Sequence, residues 1–216
     1  MNNKVFYPLL AVLLVVPFMM VAYFWNAIPD TIPIHYNINF EPDNWAPKAT
    51  GLLLIPSITI ALVAFLLFIP RFDPKGNIEK YMGAYRGIVL AITLFMSGLI
   101  CMEVLRNSGF NIPMDYMPLA IVVLFAFIGN VLLKVKPNYF VGIRTPWTLE
   151  SEEVWKRTHR LGGYLWVFAS IIMIPFILFT PTEVYSRIFV GYIALIAIIP
   201  IAYSFWVYRQ LKQENV

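Results

Sequence analysis

Two polar stretches hold most of the side chains that could do chemistry in this 216-residue chain. The first, IPIHYNINFEPDNWAPKAT, places an imidazole and two carboxylates close together in sequence, at His35, Glu41 and Asp43. These side-chain types bind metal ions, but their spacing lacks the tight ligand pairs typical of zinc sites. We therefore favour a structured lid over a metal centre, and we expect no metal or other cofactor.

Local patterning predicts how this first stretch folds. IPIHYNI alternates apolar and polar residues, which favours a short extended segment with His35 and Asn37 on one face. EPDN has the composition of a turn, with proline in its second position and side chains that bond back to the backbone. Tyr36 and Trp45 have the amphipathic rings typical of the lipid headgroup level.

The second stretch, NYFVGIRTPWTLESEEVWKRTHRLGG, carries most of the remaining polar chemistry. Nine of the 27 residues between Lys134 and Arg160 are charged. His159 could accept a proton near neutral pH, but one histidine beside basic residues does not make a catalytic constellation. The sequence shows no serine elbow, no paired carboxylates and no metal motif here.

The spacing within this second stretch predicts a helix over TPWTLESEEVWKRTHR. Thr148 or Ser151 can cap its start, glutamates occupy the first turns and basic residues the last, which complements the helix dipole. Trp155, His159 and Glu152 share a face. We expect this amphipathic helix to lie in the membrane interface with its tryptophans inserted, and then to turn at Gly162–Gly163 into a spanning helix.

The elements that must position these residues are membrane helices. The chain is 60% hydrophobic and 13% charged, and a soluble domain has about 25% charged residues. Crossing the hydrocarbon takes roughly 20 apolar residues as a helix, and only helices satisfy the backbone of such runs in lipid. Six spanning helices are predicted; the third run reaches the required length only with Glu103. The uncharged runs are Val5–Pro29, Ala49–Pro70, Gly87–Met102, Tyr116–Leu133, Leu161–Thr182 and Ile188–Tyr208.

Basic residues predict the orientation of these helices. Thirteen of the 16 lysines and arginines fall in one alternating set of segments, and three, Lys48, Arg106 and Arg187, fall in the other. Because cytoplasmic loops retain Lys and Arg, both termini and the loop 134–160 should be cytoplasmic, and the loop 26–50 should face outside. Anionic lipid is a sufficient partner for the net charge of +4, and no nucleic acid need be invoked.

Three smaller features carry further expectations. Glu103 lies within one turn of Arg106, which favours an interfacial ion pair. Gly142 permits a conformation or a close approach that a side chain would block. The guanidinium of Arg144 needs a fixed acceptor at the lipid boundary, for which Glu152 or a carbonyl is a candidate.

Together the two stretches resemble the SdpI-type immunity proteins of Firmicutes and related bacteria. IPIHYNINFEPDNWAPKAT is similar to the family's N-terminal module, a DUF1648-like region, and GNVLLKVKPNYFVGIRTPWTLESEEVWKRTHRLGG is similar to the family's signature. The family often has glycine where this chain has Phe40. The signature segment, 134–160 with the end of the preceding helix, carries the matching residues Asn130, Pro137, Asn138, Gly142, Arg144, Thr145, Pro146, Trp147, Thr148, Trp155 and His159.

The resemblance implies a multi-pass protein of the bacterial cell membrane that confers resistance to a secreted killing peptide. It also implies possible sensing of that toxin and retention of a cytosolic autorepressor at the membrane. We expect toxin to bind outside, at His35, Asn37, Glu41, Asp43 and Trp45. We expect a partner to bind inside, at Asn130, Asn138, Gly142, Arg144, Thr145, Pro146, Trp147, Glu152, Trp155 and His159.

The same resemblance predicts two modules, an N-terminal two-helix module over 1–70 and a C-terminal four-helix module over 71–216. Capture of a peptide requires no catalysis, so we do not expect an enzyme. The alternative is a membrane enzyme or transporter whose active constellation is either His35, Glu41 and Asp43 or Arg144, Glu152 and His159. The apolar runs contain almost no ionisable groups for a buried site, and the paired broken helices of many transporters are missing from the pattern.

Overall fold

Seven α-helices and one β-hairpin form the part of the chain that the computed structural model describes, residues 2–113 and 117–214. A short 3₁₀ helix, Ile78–Tyr81, precedes the third α-helix. The elements in chain order are α1 (Asn3–Phe24), β1 (Thr31–Tyr36), β2 (Pro42–Pro47), α2 (Lys48–Phe72), α3 (Met82–Asn107), α4 (Met117–Leu132), α5 (Pro146–Glu150), α6 (Glu152–Phe179) and α7 (Thr182–Glu214).

The prediction of a helical, multi-pass membrane protein is confirmed. Helices α1, α2, α6 and α7, and α3 together with its 3₁₀ turn, are each long and apolar enough to cross a membrane. Helix α4 is apolar but has only 16 residues, and it corresponds to the remaining predicted run. The predicted start of that run at Tyr116, and the end of the loop before it, lie outside the described residues.

Proline inside α1 is accommodated by a side chain of another helix. Pro17 has no N–H, so it cannot bond the carbonyl of Leu13 one turn earlier. The hydroxyl of Ser97, on α3, donates to that carbonyl at 2.7 Å. The backbone acceptor that proline leaves free is therefore satisfied within the protein, as a membrane environment requires.

Helix α7 solves the same problem with a tryptophan. Pro200 deprives the carbonyl of Ile196 of its helical partner, and the indole N–H of Trp166, on α6, donates to that carbonyl at 2.8 Å. A second polar contact between α6 and α7 joins the hydroxyls of Ser170 and Tyr192 at 2.8 Å. These bonds fix the two helices against each other.

The chain divides into two compact units, Met1–Leu67 with Val89–Ile121 and Phe68–Ile88 with Val122–Val216. The first unit holds the hairpin, and the second holds the signature segment. In the first unit a buried cluster brings the base of the hairpin onto three helices. Its members are Val21, Ile28, Ile32, Leu52, Ile100 and Val104.

Helix α6 in the second unit corrects the expectation of a turn at Gly162–Gly163. The helix runs without a break from Glu152 to Phe179. A Cβ on Gly163 would lie 2.8 Å from the carbonyl oxygen of Gly129 on α4. The two glycines are therefore contact residues that let helices approach closely, and the predicted interfacial helix is in large part the first turns of a spanning helix.

Candidate functional site

The first polar stretch folds into an antiparallel hairpin, and its first strand is the extended segment that the alternation predicted. The strands pair from Thr31 opposite Pro47 to Tyr36 opposite Pro42, with an irregular register on both sides of His35. Such irregularities bend a strand and re-aim its side chains. They lie in the half of the hairpin that carries the polar residues.

The hairpin turn is not the EPDN turn that we expected. It spans Asn37–Glu41, where Oδ1 of Asn37 accepts the backbone N–H of Asn39 at 2.8 Å and of Glu41 at 3.1 Å. The backbone N–H of Asn37 also donates to the carbonyl of Glu41, at 2.9 Å. The Asn37 carboxamide thus closes the loop before Pro42 is reached, and Pro42 and the residues after it form β2.

Phe40 in this turn has a left-handed backbone, with φ of 60°. Side chains other than glycine disfavour this region by about 1–2 kcal/mol. Glycine would take this conformation without that cost. This chain keeps the turn geometry with a strained phenylalanine.

Two side-chain pairs occupy the polar end of the hairpin. His35 Nδ1 lies 2.5 Å from Asp43 Oδ1, and the side chains are 67% and 42% exposed. Asn37 Nδ2 donates to Glu41 Oε2 at 3.0 Å. The structure therefore brings the four predicted polar residues together as two separate exposed pairs. Trp45 lies beside them, with its side chain 53% exposed.

This pairing bears on the idea of a metal site. Glu41 faces Asn37 instead of completing a three-ligand set with His35 and Asp43. Within residues 2–113 and 117–214, no group of three His, Cys, Asp or Glu side chains is placed to hold a metal ion. The polar end of the hairpin offers exposed hydrogen-bonding groups and partial charges to a ligand.

Lys48 anchors the base of the hairpin, a role that sequence reasoning missed. Its Nζ donates to the carbonyls of Trp25 and Ile28, both at 3.1 Å, and lies 3.1 Å from a carboxylate oxygen of Asp30. The ammonium also lies 5.0 Å from the centre of the Trp25 ring. Lys48 thus caps the carbonyls that follow α1 and ties them to the start of α2. Lys48 is the last charged residue of the first polar stretch, and this position is the sequence feature that could have drawn attention to it.

The predicted ion pair between Glu103 and Arg106 is present, with Oε2 and Nη2 2.5 Å apart. Asn107 Nδ2 lies 3.3 Å from the same carboxylate oxygen. The guanidinium of Arg106 also lies over the ring of Tyr36, 4.7 Å from its centre. The ion pair therefore fastens the strand β1 to the end of α3, in addition to neutralising charge.

Asn138 organises the start of the signature segment from a fully buried position. Its Oδ1 accepts the backbone N–H groups of Phe140 and Val141, at 2.8 and 2.7 Å. Its Nδ2 lies within hydrogen-bond distance of the carbonyls of Lys136 and Val141 and of the hydroxyl of Tyr81, at 2.8, 3.0 and 3.0 Å. A buried amide with this many partners is a folding element, because any loss leaves buried polar groups unpaired.

The loop after α2 supplies the partners of this segment, and sequence reasoning missed it. The buried carboxylate of Asp73 accepts the backbone N–H groups of Lys75, Asn77 and Ile78. Asn77 Nδ2 then donates to the carbonyl of Pro137 at 2.7 Å. The run DPKGN is a turn signal that could have identified Asp73. The contact of Asn77 with Pro137, 60 residues away, could not be predicted from one sequence.

His159 is buried, with only 3% of its surface exposed, and its ring contacts the backbone of the signature segment. Its Nε2 accepts the N–H of Ile143 at 3.0 Å, and its Nδ1 faces the carbonyl of Trp155 at 2.9 Å. These partners require a neutral ring with the proton on Nδ1. Both nitrogens are occupied, so the ring is not placed to exchange protons with a substrate.

Gly142 and Trp155 complete the setting of His159. Gly142 has φ of 116°, and a Cβ there would collide with Nε2 of His159. Trp155 stacks on the histidine ring, with centroids 4.0 Å apart, and its indole N–H donates to the carbonyl of Val135 at 3.0 Å. The expectation that Gly142 allows a close approach is therefore confirmed.

The helix predicted over TPWTLESEEVWKRTHR is divided at Ser151. The cap of α5 is Thr145, whose side chain and that of Thr148 each bond the other residue's backbone N–H. Thr148 as an N-cap is therefore wrong, because it lies one turn inside the helix. Ser151 does cap α6, by accepting the N–H of Val154. Thr145 Oγ1 also lies 3.1 Å from Oγ of Ser204 on α7.

Arg144 has the carbonyl acceptor that we considered. Its Nη1 donates to the carbonyl of Tyr139 at 2.8 Å. Glu152, the other candidate acceptor, is exposed at the start of α6. Arg144 and His159 thus each have backbone groups as hydrogen-bond partners.

The remaining signature residues lie on helices. Pro146 is the first residue of α5, where proline suits the fixed backbone angle. Trp147 packs against Phe205 of α7, with ring centroids 4.9 Å apart. Asn130 is exposed on α4. The structure thus gathers most of the signature around α5 and the start of α6 and leaves Asn130 on the surface of another helix.

Comparisons with known proteins find relatives of both polar stretches. Residues 134–204 match the SdpI/YfhL protein family, and residues 12–60 match a domain of unknown function, DUF1648. The chain is similar to Immunity protein SdpI of Bacillus subtilis (strain 168), with 25% identity over 190 residues, which are 87% of this chain and 88% of the relative. No solved structure matches the chain. The resemblance to SdpI-type proteins is confirmed.

Proposed function

We propose that this chain, a multi-pass protein of the bacterial cell membrane with an SdpI/YfhL region, protects its cell from a secreted killing peptide. The observation that carries the proposal is the similarity to an immunity protein over most of both chains. The hairpin lies within the DUF1648 match, and residues 134–160 of the signature segment lie within the SdpI/YfhL match.

The hairpin is our proposed site of capture, through His35, Asn37, Glu41, Asp43 and Trp45. The exposure of both polar pairs supports this role, because their groups can be reached by a ligand. Two aliphatic side chains of the same hairpin, Ile34 and Ile38, are 47% and 54% exposed. An apolar peptide with some polar groups would find both kinds of contact here.

The backbone of the hairpin favours side-chain contacts over addition of a strand. A peptide that adds a strand needs free N–H groups along an edge. Pro33, Pro42 and Pro47 have none, and the N–H of Trp45 is bonded by the side chain of Asn44 at 2.9 Å. Prolines protect edge strands in this way. We therefore expect the side chains on the hairpin to decide which peptide binds.

Capture needs no chemical step, and the signature segment supports a non-catalytic protein. The one histidine of that segment has both nitrogens bonded to backbone, and the guanidinium of Arg144 has a carbonyl acceptor. We therefore propose resistance by binding.

We also propose that the signature segment is the responsive and partner-binding face, lying in the cytoplasm with both termini. Its basic composition supports this orientation. A cytosolic autorepressor held at the membrane in the presence of toxin would be its partner, and the exposed Arg144 is the residue whose loss we expect to impair the response. The modules 1–70 and 71–216 would then divide capture from response.

A protection assay tests the proposed function. The chain is expressed in a host that is sensitive to a secreted killing peptide, beside His35→Ala and Arg144→Ala at matched membrane levels. We expect the parent to protect and both variants to lose much of the protection. Thr31→Ala, an exposed change on the same hairpin, and Arg160→Ala, an exposed change in the same segment, are the controls and should protect fully.

The two parts of the proposal fail separately. If the parent protects against none of the secreted killing peptides tested, the immunity function is overturned. Full protection by both His35→Ala and Arg144→Ala would leave the function in place and overturn the assignment of the sites. For the regulatory part, a repressor encoded beside the gene should move to the membrane fraction only when toxin is added. A repressor that stays soluble contradicts that part alone.

A further inference from the structure

A strongly basic surface lies outside the buried network of the signature segment. It is formed in the second unit by the loop after α2 and by the start of the signature segment. Residues 71–81 and 134–144 together carry six basic and two acidic side chains. The basic side chains are Arg71, Lys75, Lys80, Lys134, Lys136 and Arg144.

Contacts place three of these cations on one surface, and a fourth, Lys136, is next to that surface in sequence. Lys75 and Arg144 meet at Tyr139: the ammonium lies 5.1 Å from the centre of the ring, and the guanidinium donates to the carbonyl at 2.8 Å. We name this convergence of Lys75, Tyr139 and Arg144 the tyrosine site. The remaining two cations flank the contact between the loops.

The flanking contact is made by Asn77. Its Oδ1 accepts from Nζ of Lys80 at 2.7 Å, and its Nδ2 donates to the carbonyl of Pro137, next to Lys136, at 2.7 Å. The surface is therefore held by the same bonds that join the two loops. This framework holds together the two loops that carry the cations.

The acidic residues do little to neutralise this surface. Asp73 is 8% exposed, and its carboxylate accepts three backbone N–H groups. Glu79 is exposed and is the remaining acidic side chain of the two loops. Most of the positive charge therefore faces outwards.

Exposed apolar side chains alternate with these cations. Phe72 follows Arg71 and is 66% exposed, Leu133 precedes Lys134 and is 41% exposed, and Tyr139 is 45% exposed. The cations also follow directly on the ends of the apolar helices α2 and α4. Interleaved basic, aromatic and aliphatic side chains at the end of a spanning helix suit the boundary between headgroups and acyl chains.

We propose that the tyrosine site, with Lys80 and Lys136 beside it, binds the phosphate of anionic phospholipids. The planar fork of Arg144 matches two phosphate oxygens, and Lys75 adds a second positive charge from across the ring. The neighbouring apolar side chains enter the acyl region. An acidic soluble protein would leave these apolar groups in water, so the surface favours lipid.

The test uses the full chain, purified in a neutral detergent and presented with equal amounts of phosphatidylglycerol and phosphatidylcholine. Native mass spectrometry counts the lipids that stay bound. The double change Lys75→Gln with Arg144→Gln should weaken binding of phosphatidylglycerol by about 25-fold, at about fivefold for each basic residue removed. Binding of phosphatidylcholine should not change.

A control and a milder variant separate lipid binding from folding. Lys156→Gln with Arg160→Gln removes two exposed cations of the same unit that are not part of the tyrosine site, and it should weaken binding less than about threefold. Lys75→Gln alone removes no backbone bond and should weaken binding about fivefold. Its melting temperature should equal that of the parent.

Four outcomes with the lipids and with inorganic phosphate would overturn the proposal, and a fifth concerns a protein ligand. The four are equal retention of the two lipids by the parent, an equal loss in the control variant, unchanged binding in Lys75→Gln, and displacement of the lipid by millimolar inorganic phosphate. Displacement by a soluble polyglutamate peptide would assign the surface to an acidic protein and would also overturn it.

Discussion

The hairpin and the signature segment use the same polar side chains in opposite ways. Asn37 and Asn138 both accept backbone N–H groups two positions ahead and so close a turn. Asn37 does this at the exposed tip of the hairpin, with bonds to nearby residues. Asn138 is fully buried, and its amide reaches Tyr81, 57 residues earlier. Similar chemistry therefore leaves one region open to ligands and makes the other a scaffold.

This difference changes what a conspicuous residue means. His35 pairs with Asp43 in the open, whereas His159 is enclosed by backbone on both nitrogens. The role of His159 in the signature segment is thus structural, since its ring holds backbone groups in place. His35 pairs with one exposed side chain instead of with buried backbone, and we therefore assign it to ligand binding.

The largest expected effect is on the scaffold, at Gly142. Gly142→Ala would place a Cβ against the ring of His159. The positive φ at this position is also unfavourable for any residue with a Cβ. We expect a loss of about 4 kcal/mol, which combines overpacking and backbone strain, and the protein should fail to fold or melt far below the parent. Thermal unfolding in detergent measures it.

Gly76→Ala is the matched control for that change. Gly76 also has a positive φ, of 58°, but a Cβ there would meet nothing within 4 Å. The cost should be only about 1 kcal/mol, from the backbone alone. Equal losses for the two alanines would show that His159 is not tightly enclosed, and the scaffold would then be looser than we describe.

The paired asparagines give the next largest effect. Asn138→Ala leaves two backbone N–H groups and a tyrosine hydroxyl without their partner, and we expect a loss of about 3 kcal/mol. Asn37→Ala, in water, should cost about 1 kcal/mol. Both are measured by unfolding in detergent. If Asn37→Ala is the more damaging change, the division into scaffold and exposed site is wrong.

The smallest effect is a gain, at the tip of the hairpin. Phe40→Gly removes a side chain from a left-handed position and should stabilise the turn by about 1 kcal/mol. The amide of Asn37, which bonds the carbonyl of Glu41 across the turn, should then exchange with deuterium several-fold more slowly. Faster exchange at Asn37 would show that the phenylalanine ring contributes more than its backbone costs.

Much of the fold followed from the sequence, because hydrophobic runs and helical backbone are tied closely in lipid. The extended β1, the ion pair of Glu103 and the cap at Ser151 also followed, since each depends on neighbours in sequence. The turn at Asn37 and the break at Ser151 were missed because several polar residues competed for the same local role. A single pattern does not say which one wins.

The tertiary scaffold could not be derived from local patterns. The role of Lys48 depends on carbonyls brought close by folding, and the bond from Asn77 to Pro137 joins segments 60 residues apart. Gly162–Gly163 looked like a turn because glycine serves both bends and close contacts. Only the packing of α6 on α4 distinguishes the two uses. The resemblance identified the signature residues without saying that most of them are structural.

Hydrogen–deuterium exchange with and without a purified killing peptide tests the central claim most directly, that the exposed hairpin meets the ligand. It uses the intact chain in detergent and a peptide against which the chain protects. Our account predicts slower exchange across residues 31–47, and no such slowing in a chain with both His35→Ala and Asp43→Ala. Unchanged exchange in that hairpin, with slowing elsewhere in the chain, would contradict it.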